Sequence, residues 1–264
     1  MIILNGTKIN LERFKDNTLK CSLKSKFPTK GNSLVIPELS TIRWLYEGDE
    51  EVFALYALAS ELKDRGVGRI RLEIPYMPNA RQDRRDDKVF TLKYLANLIN
   101  SLNFETVSVF DPHSDVTMAL LDRAHIMEDQ KNFWTYFTNK IISQNDAVMF
   151  PDSGSAKRYE ATDKDFIGFK HRGKDGEIDR FELLNFKEGT KKVVIVDDIC
   201  SSGITFYHAA KALKERGVEE VTLLVSHCEN KLEKDKVFKY IDRIYTTNSI
   251  CKLKDERIHI KNIF

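Results

Sequence analysis

The sequence lacks several features that mark whole classes of protein. Its 42 basic and 40 acidic residues leave a formal net charge of only +2, so no global charge draws it to nucleic acid or to a membrane surface. The four cysteines (21, 200, 228 and 251) form no CxxC pair, which argues against a zinc ribbon or a dithiol redox site. No apolar run approaches the ~20 residues of a membrane span, and the N-terminus lacks a signal-peptide layout. We therefore expect a cytoplasmic protein whose anion binding, if any, is local.

The first half of the chain shows hydrophobic patterns of alternating strands and helices. The first forty residues alternate short apolar stretches with polar turns, which predicts a β-rich start. Apolar residues then recur at helical spacing over 52–62, with Gly66 just past the end, and again over 92–102. Residues 70–74 and 106–110 read as the strands that follow these helices. This order predicts a βαβ unit with a parallel sheet.

The second half repeats this rhythm without a clear sequence period. The run Val193–Val196 is continuous and β-branched, as expected of a strand covered on both faces. The other predicted elements are strands at 147–150, 166–169 and 221–226 and a helix at 206–213. The 264 residues suffice for two domains of ordinary size, and we place their boundary within 125–145, as halves 1–130 and 131–264.

A small polar loop follows the strand Val193–Val196. Asp197 and Asp198 stand at the predicted carboxyl end of the strand, and Ser201–Gly203 leads into the next helix. Ligands of open α/β sheets bind at the carboxyl ends of strands, and a helix N-terminus offers unpaired N–H groups to phosphate. The carboxylates suit ribose hydroxyls, or Mg²⁺ through water. The alternative is an ordinary strand-to-helix turn capped by Asp or Ser.

The segment VVIVDDICSSGITF resembles the ribose-phosphate loop shared by type I phosphoribosyltransferases and ribose-phosphate pyrophosphokinases (PRPP synthetases). It departs from the family pattern at Ser201, where the family has Asp, and at Ile204, where it usually has Gly. The resemblance implies an α/β fold of two type I phosphoribosyltransferase-like halves, each a mainly parallel sheet flanked by helices. The ribose-phosphate-binding residues that it implies are Asp197, Asp198, Cys200, Ser201, Ser202, Gly203 and Thr205.

Three further segments resemble PRPP synthetases and not transferases. IPYMPNARQDRRDD is similar to the ATP-binding segment of the family, which implies ATP contacts by Arg81 and Gln82 with Asp86 nearby. FDPHSD is similar to a segment that makes His113 an ATP contact and a ligand of the ATP-bound Mg²⁺. FPDSGSAKR makes Asp152 a second metal ligand by the same resemblance.

A fourth segment, FIGFKHRGKDGEI, resembles the catalytic loop of these enzymes. Lys170 and Arg172 fall on the two positions that stabilise the transferring phosphoryl group in the family, and Asp198 completes the implied catalytic set. Phosphoryl transfer needs little covalent chemistry and much charge neutralisation, which cations that close over the phosphate supply. The alternative is an exposed basic hairpin.

The chain departs from the family at both ends. KFPTKGNS has Thr29, Lys30 and Asn32 where the family carries acids that hold the adenine of ATP in a neighbouring subunit. The chain also ends without the long final helix common in the family. A homo-oligomer is still expected, with a changed mode of adenine recognition.

The resemblance implies a Mg²⁺-dependent enzyme that transfers a pyrophosphoryl group from ATP to ribose 5-phosphate. A larger 5-phosphoribosyl acceptor, such as ADP-ribose in a route to NAD, is the close alternative. A type I phosphoribosyltransferase would leave Arg81, Gln82, His113 and the Lys-x-Arg segment without a task. A non-catalytic regulatory homologue is the remaining hypothesis.

Overall fold

The computed structural model describes the chain except residues 24–26, 31–32, 86 and 174–177, and it describes 29, 30, 33, 34 and 172 by their backbone alone. The chain divides into two compact units, Met1–Glu128 and Asp129–Phe264. Among the described residues, no helix is both long and apolar enough to cross a membrane.

The first unit is built on a mainly parallel sheet. Its described strands are β1 (Ile2–Leu4), β2 (Thr7–Lys8), β3 (Asn10–Arg13), β4 (Leu19–Ser22), β5 (Thr29–Lys30), β6 (Ser33–Leu34), β7 (Leu39–Trp44), β8 (Arg69–Ile74), β9 (Thr106–Val109) and β10 (Ala124–Ile126). Its helices are α1 (Glu50–Asp64), α2 (Thr91–Ser101) and α3 (Asp115–Leu120). The described sheet has the order β10-β9-β8-β7-β1-β2, in which β7 to β10 run parallel and β1 and β2 are antiparallel additions. The β-rich start and the βαβ unit are confirmed.

Helix α1 ends where the sequence predicts. Gly66 adopts φ +84°, a left-handed conformation that glycine reaches without a Cβ clash. The Val67 N–H then donates to the Leu62 carbonyl at 3.0 Å and the Gly66 N–H to the Lys63 carbonyl at 2.8 Å. These two bonds satisfy carbonyls that the last turn of a helix leaves unpaired.

The second unit contains the other mainly parallel sheet. Its described strands are β11 (Ala147–Phe150), β12 (Phe166–Arg172), β13 (Ile178–Leu184), β14 (Lys192–Cys200), β15 (Glu220–Cys228), β16 (Arg243–Thr247) and β17 (Ile258–Lys261). Its helices are α4 (Glu128–Lys140, starting at the unit boundary), α5 (Ser153–Arg158), α6 (Ile204–Lys214) and α7 (Lys234–Val237), with a 3-10 helix at Ile142–Gln144. The described order is β13-β12-β11-β14-β15-β16-β17, and every neighbouring pair except β12 with β13 is parallel. The predicted fold class, α/β with two mainly parallel sheets flanked by helices, is confirmed.

Strand β14 lies inside this sheet between β11 and β15, which explains its continuous apolar run. Val193, Val194, Ile195 and Val196 are all fully or nearly fully buried. The strand continues through Asp197 to Cys200, so the first four residues of the predicted loop belong to the strand. The polar, aromatic segment at the unit boundary is the helix α4, which hydrophobic spacing alone did not predict.

Candidate active site

An ion pair fixes one of the two adjacent aspartates at the end of β14. Arg158, the last residue of α5, lies 2.8 Å from Asp198, measured from Nη1 to Oδ1. The Asp198 side chain is only 3% exposed and that of Arg158 22%. A carboxylate removed from water to this extent needs a cation or several donors, and Arg158 provides the cation.

The neighbouring Asp197 is in a different electrostatic environment. Its Oδ1 accepts a hydrogen bond from the Asp198 backbone N–H at 2.9 Å. Burial, followed by the negative charge of Asp198, raises the pKa of Asp197 well above its usual range, and the charge of Asp152 adds to this. The two adjacent carboxyl groups therefore have different electrostatic surroundings. Asp198 pairs with a guanidinium, while Asp197 lies near the carboxylates of Asp198 and Asp152.

Asp152 caps the first turn of α5. Its Oδ1 accepts hydrogen bonds from the Gly154 and Ser155 backbone N–H groups at 3.0 Å each, in a capping box with the Ser155 hydroxyl. Its Oδ2 accepts from Lys170 Nζ at 2.8 Å. Burial works to raise the pKa of Asp152, but Lys170 and the Ser155 N–H outweigh it, so the pKa lies below its usual value.

The catalytic pair implied by the Lys-x-Arg pattern lies on β12. Lys170 sits within this strand with its side chain 18% exposed and bound to Asp152. Arg172 is the last residue of β12, and its side chain lies outside the described part of the chain. Strand β12 pairs antiparallel with β13, as the hairpin alternative expects, but within this pair of strands the Lys170 side chain is mostly buried and bound to Asp152.

The loop Ser201–Gly203 leads from β14 directly into α6. Gly203 adopts φ +86°, and a Cβ at this position would lie 2.4 Å from Val237 Cγ2 and 2.9 Å from Leu232 Cδ1. Ile204 is already the first residue of α6, so the left-handed conformation falls on Gly203 and the replacement of glycine at 204 requires no unusual backbone. No side chain caps this helix start, so its N–H groups can bind an anion.

Two side chains of the loop have neighbours that the sequence did not indicate. The Ser201 hydroxyl donates to Glu229 Oε2 at 2.5 Å, so a carboxylate from the end of β15 stands beside the position where the family has Asp. Cys200 is fully buried, and its thiol lies against that of Cys228. Any ligand contact of Cys200 would therefore go through its backbone. Ser202 and Thr205 are partly exposed, the latter in the first turn of α6.

The predicted ATP contacts lie in the first unit. Arg81 and Gln82 are exposed residues beyond the end of β8, and both line a pocket of about 410 Å³. Gln82 is held by its N–H, which donates to the Asn79 carbonyl at 2.8 Å, and its side-chain oxygen accepts from the Thr91 hydroxyl. His113 is half-buried between β9 and α3. Asp86 lies outside the described residues.

The donors fit a divalent cation that arrives with its phosphate ligands. No group of three His, Cys, Asp or Glu residues that could hold a metal ion by itself is found within the described ranges. Mg²⁺ usually takes one or two carboxylates, with phosphate oxygens and waters completing its octahedron. The Asp152 carboxylate at the edge of the site is a hard oxygen donor of the kind that Mg²⁺ requires.

The structure brings five predicted or newly found charged groups together in the second unit: Asp152, Arg158, Lys170, Asp197 and Asp198. Sequence reasoning missed Arg158 and Glu229. Arg158 carried one signal, a basic residue at the end of the short helix that Asp152 starts. Glu229 carried another, an acid directly after a strand that runs parallel to β14.

Comparisons of the sequence and of the fold with known proteins point to the same family. The phosphoribosyl transferase domain family matches residues 172–253. A ribose-phosphate pyrophosphokinase of Thermococcus kodakarensis is 26% identical over 78% of this chain and 75% of its own length. Ribose-phosphate pyrophosphokinase 2 of Saccharomyces cerevisiae is 28% identical over 94% and 81%. The phosphoribosylpyrophosphate synthetase of Mycobacterium smegmatis superposes with a TM-score of 0.72 at 16% identity, over 97% of this chain and 86% of its own. On these sequence relatives and the shared fold, the chain is a member of the ribose-phosphate pyrophosphokinase (PRPP synthetase) family.

Proposed function

We propose that the protein is a Mg²⁺-dependent pyrophosphokinase that transfers the β,γ-pyrophosphoryl group of ATP to the anomeric hydroxyl of ribose 5-phosphate, giving PRPP and AMP. The observation that carries this proposal is the charged cluster of the second unit. It sets two aspartates, one paired with Arg158, beside an uncapped helix start, and places Lys170 on the carboxylate of Asp152.

The acceptor would bind at the end of β14. The backbone N–H groups of Ser202–Thr205 would hold its 5-phosphate, because they lie at the start of α6 and no side chain caps that helix start. Asp198 would orient the ribose hydroxyls, with Asp197 beside it. A phosphate at one end and hydroxyls at the other fix both the position and the direction of the sugar.

The reaction then needs cations at the transferring group. The anomeric oxygen forms a bond to the β-phosphorus, and the bond from that phosphorus to the oxygen of the α-phosphate breaks, so that AMP leaves and the hydroxyl proton is released to water. Lys170 and Arg172 would neutralise the charge that builds up on the equatorial oxygens. In this structure Lys170 is engaged by Asp152, so the arriving phosphate must exchange for that carboxylate or share the ammonium with it.

The remaining donors suit the nucleotide. Arg81 and Gln82 would contact ATP, Asp86 would lie nearby, and His113 and Asp152 would each offer a ligand to Mg²⁺. When bound, the ion supplies charge stabilisation at the triphosphate. Asp152 is fixed for this by two backbone N–H groups, which leave its Oδ2 to Lys170.

One observation favours the larger acceptor, ADP-ribose, as a second candidate. Glu229 is hydrogen bonded to Ser201 in the loop that would hold the phosphate. A carboxylate there disfavours a dianionic phosphomonoester more than a singly charged phosphodiester. The 5-phosphate of ADP-ribose carries the lower charge because it is part of a diphosphate bridge.

The test incubates purified protein with Mg²⁺ and ATP and either ribose 5-phosphate or ADP-ribose, and separates the products by chromatography with mass detection. AMP together with a sugar heavier by one pyrophosphate supports the proposal and identifies the acceptor. Glu229→Gln should shift the preference toward ribose 5-phosphate, because it removes the negative charge beside the phosphate. Absence of AMP with both acceptors would count against a pyrophosphokinase and for a regulatory homologue.

A further inference from the structure

Two tyrosines occupy matching positions beyond neighbouring parallel strands of the first unit. The register of β7 and β8 pairs Thr41 with Arg71 and Arg43 with Glu73, an offset of thirty residues. The same offset relates Tyr46 to Tyr76, each two residues beyond the end of its strand. Their ring centroids lie 6.3 Å apart with the planes tilted by 37°. Sequence position and sheet register together thus build an aromatic pair at the carboxyl edge of the sheet, where ligands of such sheets bind.

The ring of Tyr46 is held from two sides. Its hydroxyl donates to Asp49 Oδ1 at 2.8 Å, and its edge meets Trp44 at a centroid distance of 5.8 Å. Trp44 in turn donates its indole N–H to Glu51 at 3.0 Å. Burial and the hydrogen bond to Asp49 raise the pKa of Tyr46, so the phenol stays neutral at physiological pH. An aromatic ring fixed in this way loses little conformational freedom when a ligand stacks on it.

The aromatic pair lines a pocket of about 410 Å³. The described lining side chains that carry charge are Arg81, Arg84 and Lys88, and Arg84 lies 3.5 Å from Asp83, which is not among the lining residues. Asn79 and Gln82 add amide groups, which can donate and accept hydrogen bonds. The pocket therefore combines π-faces, amides and positive charge within one unit of a single chain.

This combination matches a nucleotide better than a simple anion. Inorganic phosphate or polyphosphate would use the three cations and leave the rings without a role. An aromatic base with a phosphate tail uses both, because every base has a π-face and the tail carries the charge.

We propose that the base of ATP stacks on Tyr46, backed by Tyr76, so that this chain supplies in its own first unit the aromatic contact for adenine. Arg81, Arg84 and Lys88 then bind the phosphates. The inference rests on the proposed function, since it places the ATP of that reaction in this pocket. Tyr46 becomes a residue that determines nucleotide affinity without touching the reacting phosphorus.

The experiment separates the base from the phosphates. Binding of ATP and of inorganic tripolyphosphate, each with Mg²⁺, is measured by calorimetry for the native protein and for Tyr46→Leu, Tyr46→Phe and Tyr56→Leu. Leucine keeps an apolar contact with Trp44 but removes the π-face, while phenylalanine keeps the π-face and loses the bond to Asp49. Tyr56 is the control, an exposed tyrosine of α1 that does not line the pocket.

We expect Tyr46→Leu to weaken ATP binding about tenfold, within the range found when base stacking is removed, and to leave tripolyphosphate binding within about twofold. Tyr46→Phe should stay within about threefold for both ligands, and the Tyr56 variant should match the native protein. Equal ATP affinity of the native protein and Tyr46→Leu overturns the inference and leaves the proposed function standing. An equal loss for ATP and tripolyphosphate also overturns it. No ATP binding by the native protein overturns both.

Discussion

Arg158, at the end of helix α5, and Asp198, near the end of strand β14, form a 2.8 Å ion pair. Arg158 ends the short helix α5, and Asp152, which Lys170 binds, caps the start of the same helix. One helix of six residues thus positions the carboxylate proposed for Mg²⁺ and the guanidinium that fixes the carboxylate proposed for ribose. A shift of α5 would move both groups together.

The first prediction concerns this ion pair. Arg158→Ala removes a cation 2.8 Å from the buried Asp198 carboxylate, so the free energy of unfolding should fall by about 3 kcal/mol. Adding Asp198→Asn removes the buried negative charge and should restore part of the loss, measured by urea unfolding. Arg180→Ala is the control, because its pair with Glu182 is exposed and should change stability by less than about 1 kcal/mol. Equal losses in the Arg158 and Arg180 variants would argue against a structural role for the buried pair.

The second prediction concerns Lys170. Lys170→Ala should lower kcat at least 100-fold, because a cation at the transferring phosphoryl group is lost, and should change the free energy of unfolding by no more than about 1 kcal/mol. Lys192→Ala, on β14 and paired with Glu220 at 3.6 Å, is the matched control and should leave kcat unchanged. A Lys170→Ala enzyme with native kcat would remove Lys170 from the mechanism.

The third prediction follows from the raised pKa of Asp197, caused by burial and then by the charge of Asp198. The unfolded chain releases the Asp197 proton near pH 3.9, while the folded state keeps it to higher pH. The free energy of unfolding therefore falls as pH rises from that value to the folded pKa. Asp197→Asn removes this loss.

The measurement for Asp197 is the Tm of both proteins at pH 5 and pH 8 in EDTA. The variant should gain in Tm relative to the native protein, by more at pH 8 than at pH 5. Its turnover should fall about 100-fold, since the sugar is positioned less well. A variant whose Tm is lower by the same amount at both pH values would show that the ionised Asp197 carboxylate does not destabilise the folded state.

The fourth prediction separates two costs at Gly203. Gly217→Ala, also at φ +86° but with no atom within 4 Å of the added Cβ, should cost about 1 kcal/mol of backbone strain. Gly203→Ala adds a clash with Val237 and Leu232 and should cost about 1–3 kcal/mol more. Val237→Ala in the same chain should relieve part of the extra cost. Urea unfolding of the native protein and these three variants gives the differences, and equal costs at 203 and 217 would refute the close packing.

Local sequence patterns predicted these strands, helices and turns because each depends on the hydrophobic spacing and turn residues of a short segment. The buried run of β14, the helix α1 with Gly66 after it, and the polar loop before α6 are examples. The helix α4 was missed because its apolar side chains are sparse among polar ones, and its aromatic contacts, such as Phe137 with Tyr245, are tertiary.

The partners within the site could not be predicted in the same way. Arg158 reaches Asp198 across forty residues of sequence, and Glu229 reaches Ser201 only because β15 runs parallel to β14. The pairing of Tyr46 with Tyr76 depends on the register of β7 and β8. Residue type and spacing suggest which groups are chemically competent, but strand register decides which of them meet.

Pyrophosphoryl transfer at this site can be followed with ATP radiolabelled at the β-phosphorus. With Mg²⁺ and the acceptor that reacts, the label should leave the nucleotide and appear in the sugar product, with unlabelled AMP formed in equal amount. Lys170→Ala should reduce that transfer at least 100-fold, while the Lys192→Ala control retains it. Label that stays in ADP, or AMP released without labelled sugar, would show that the protein does not transfer pyrophosphate to the sugar.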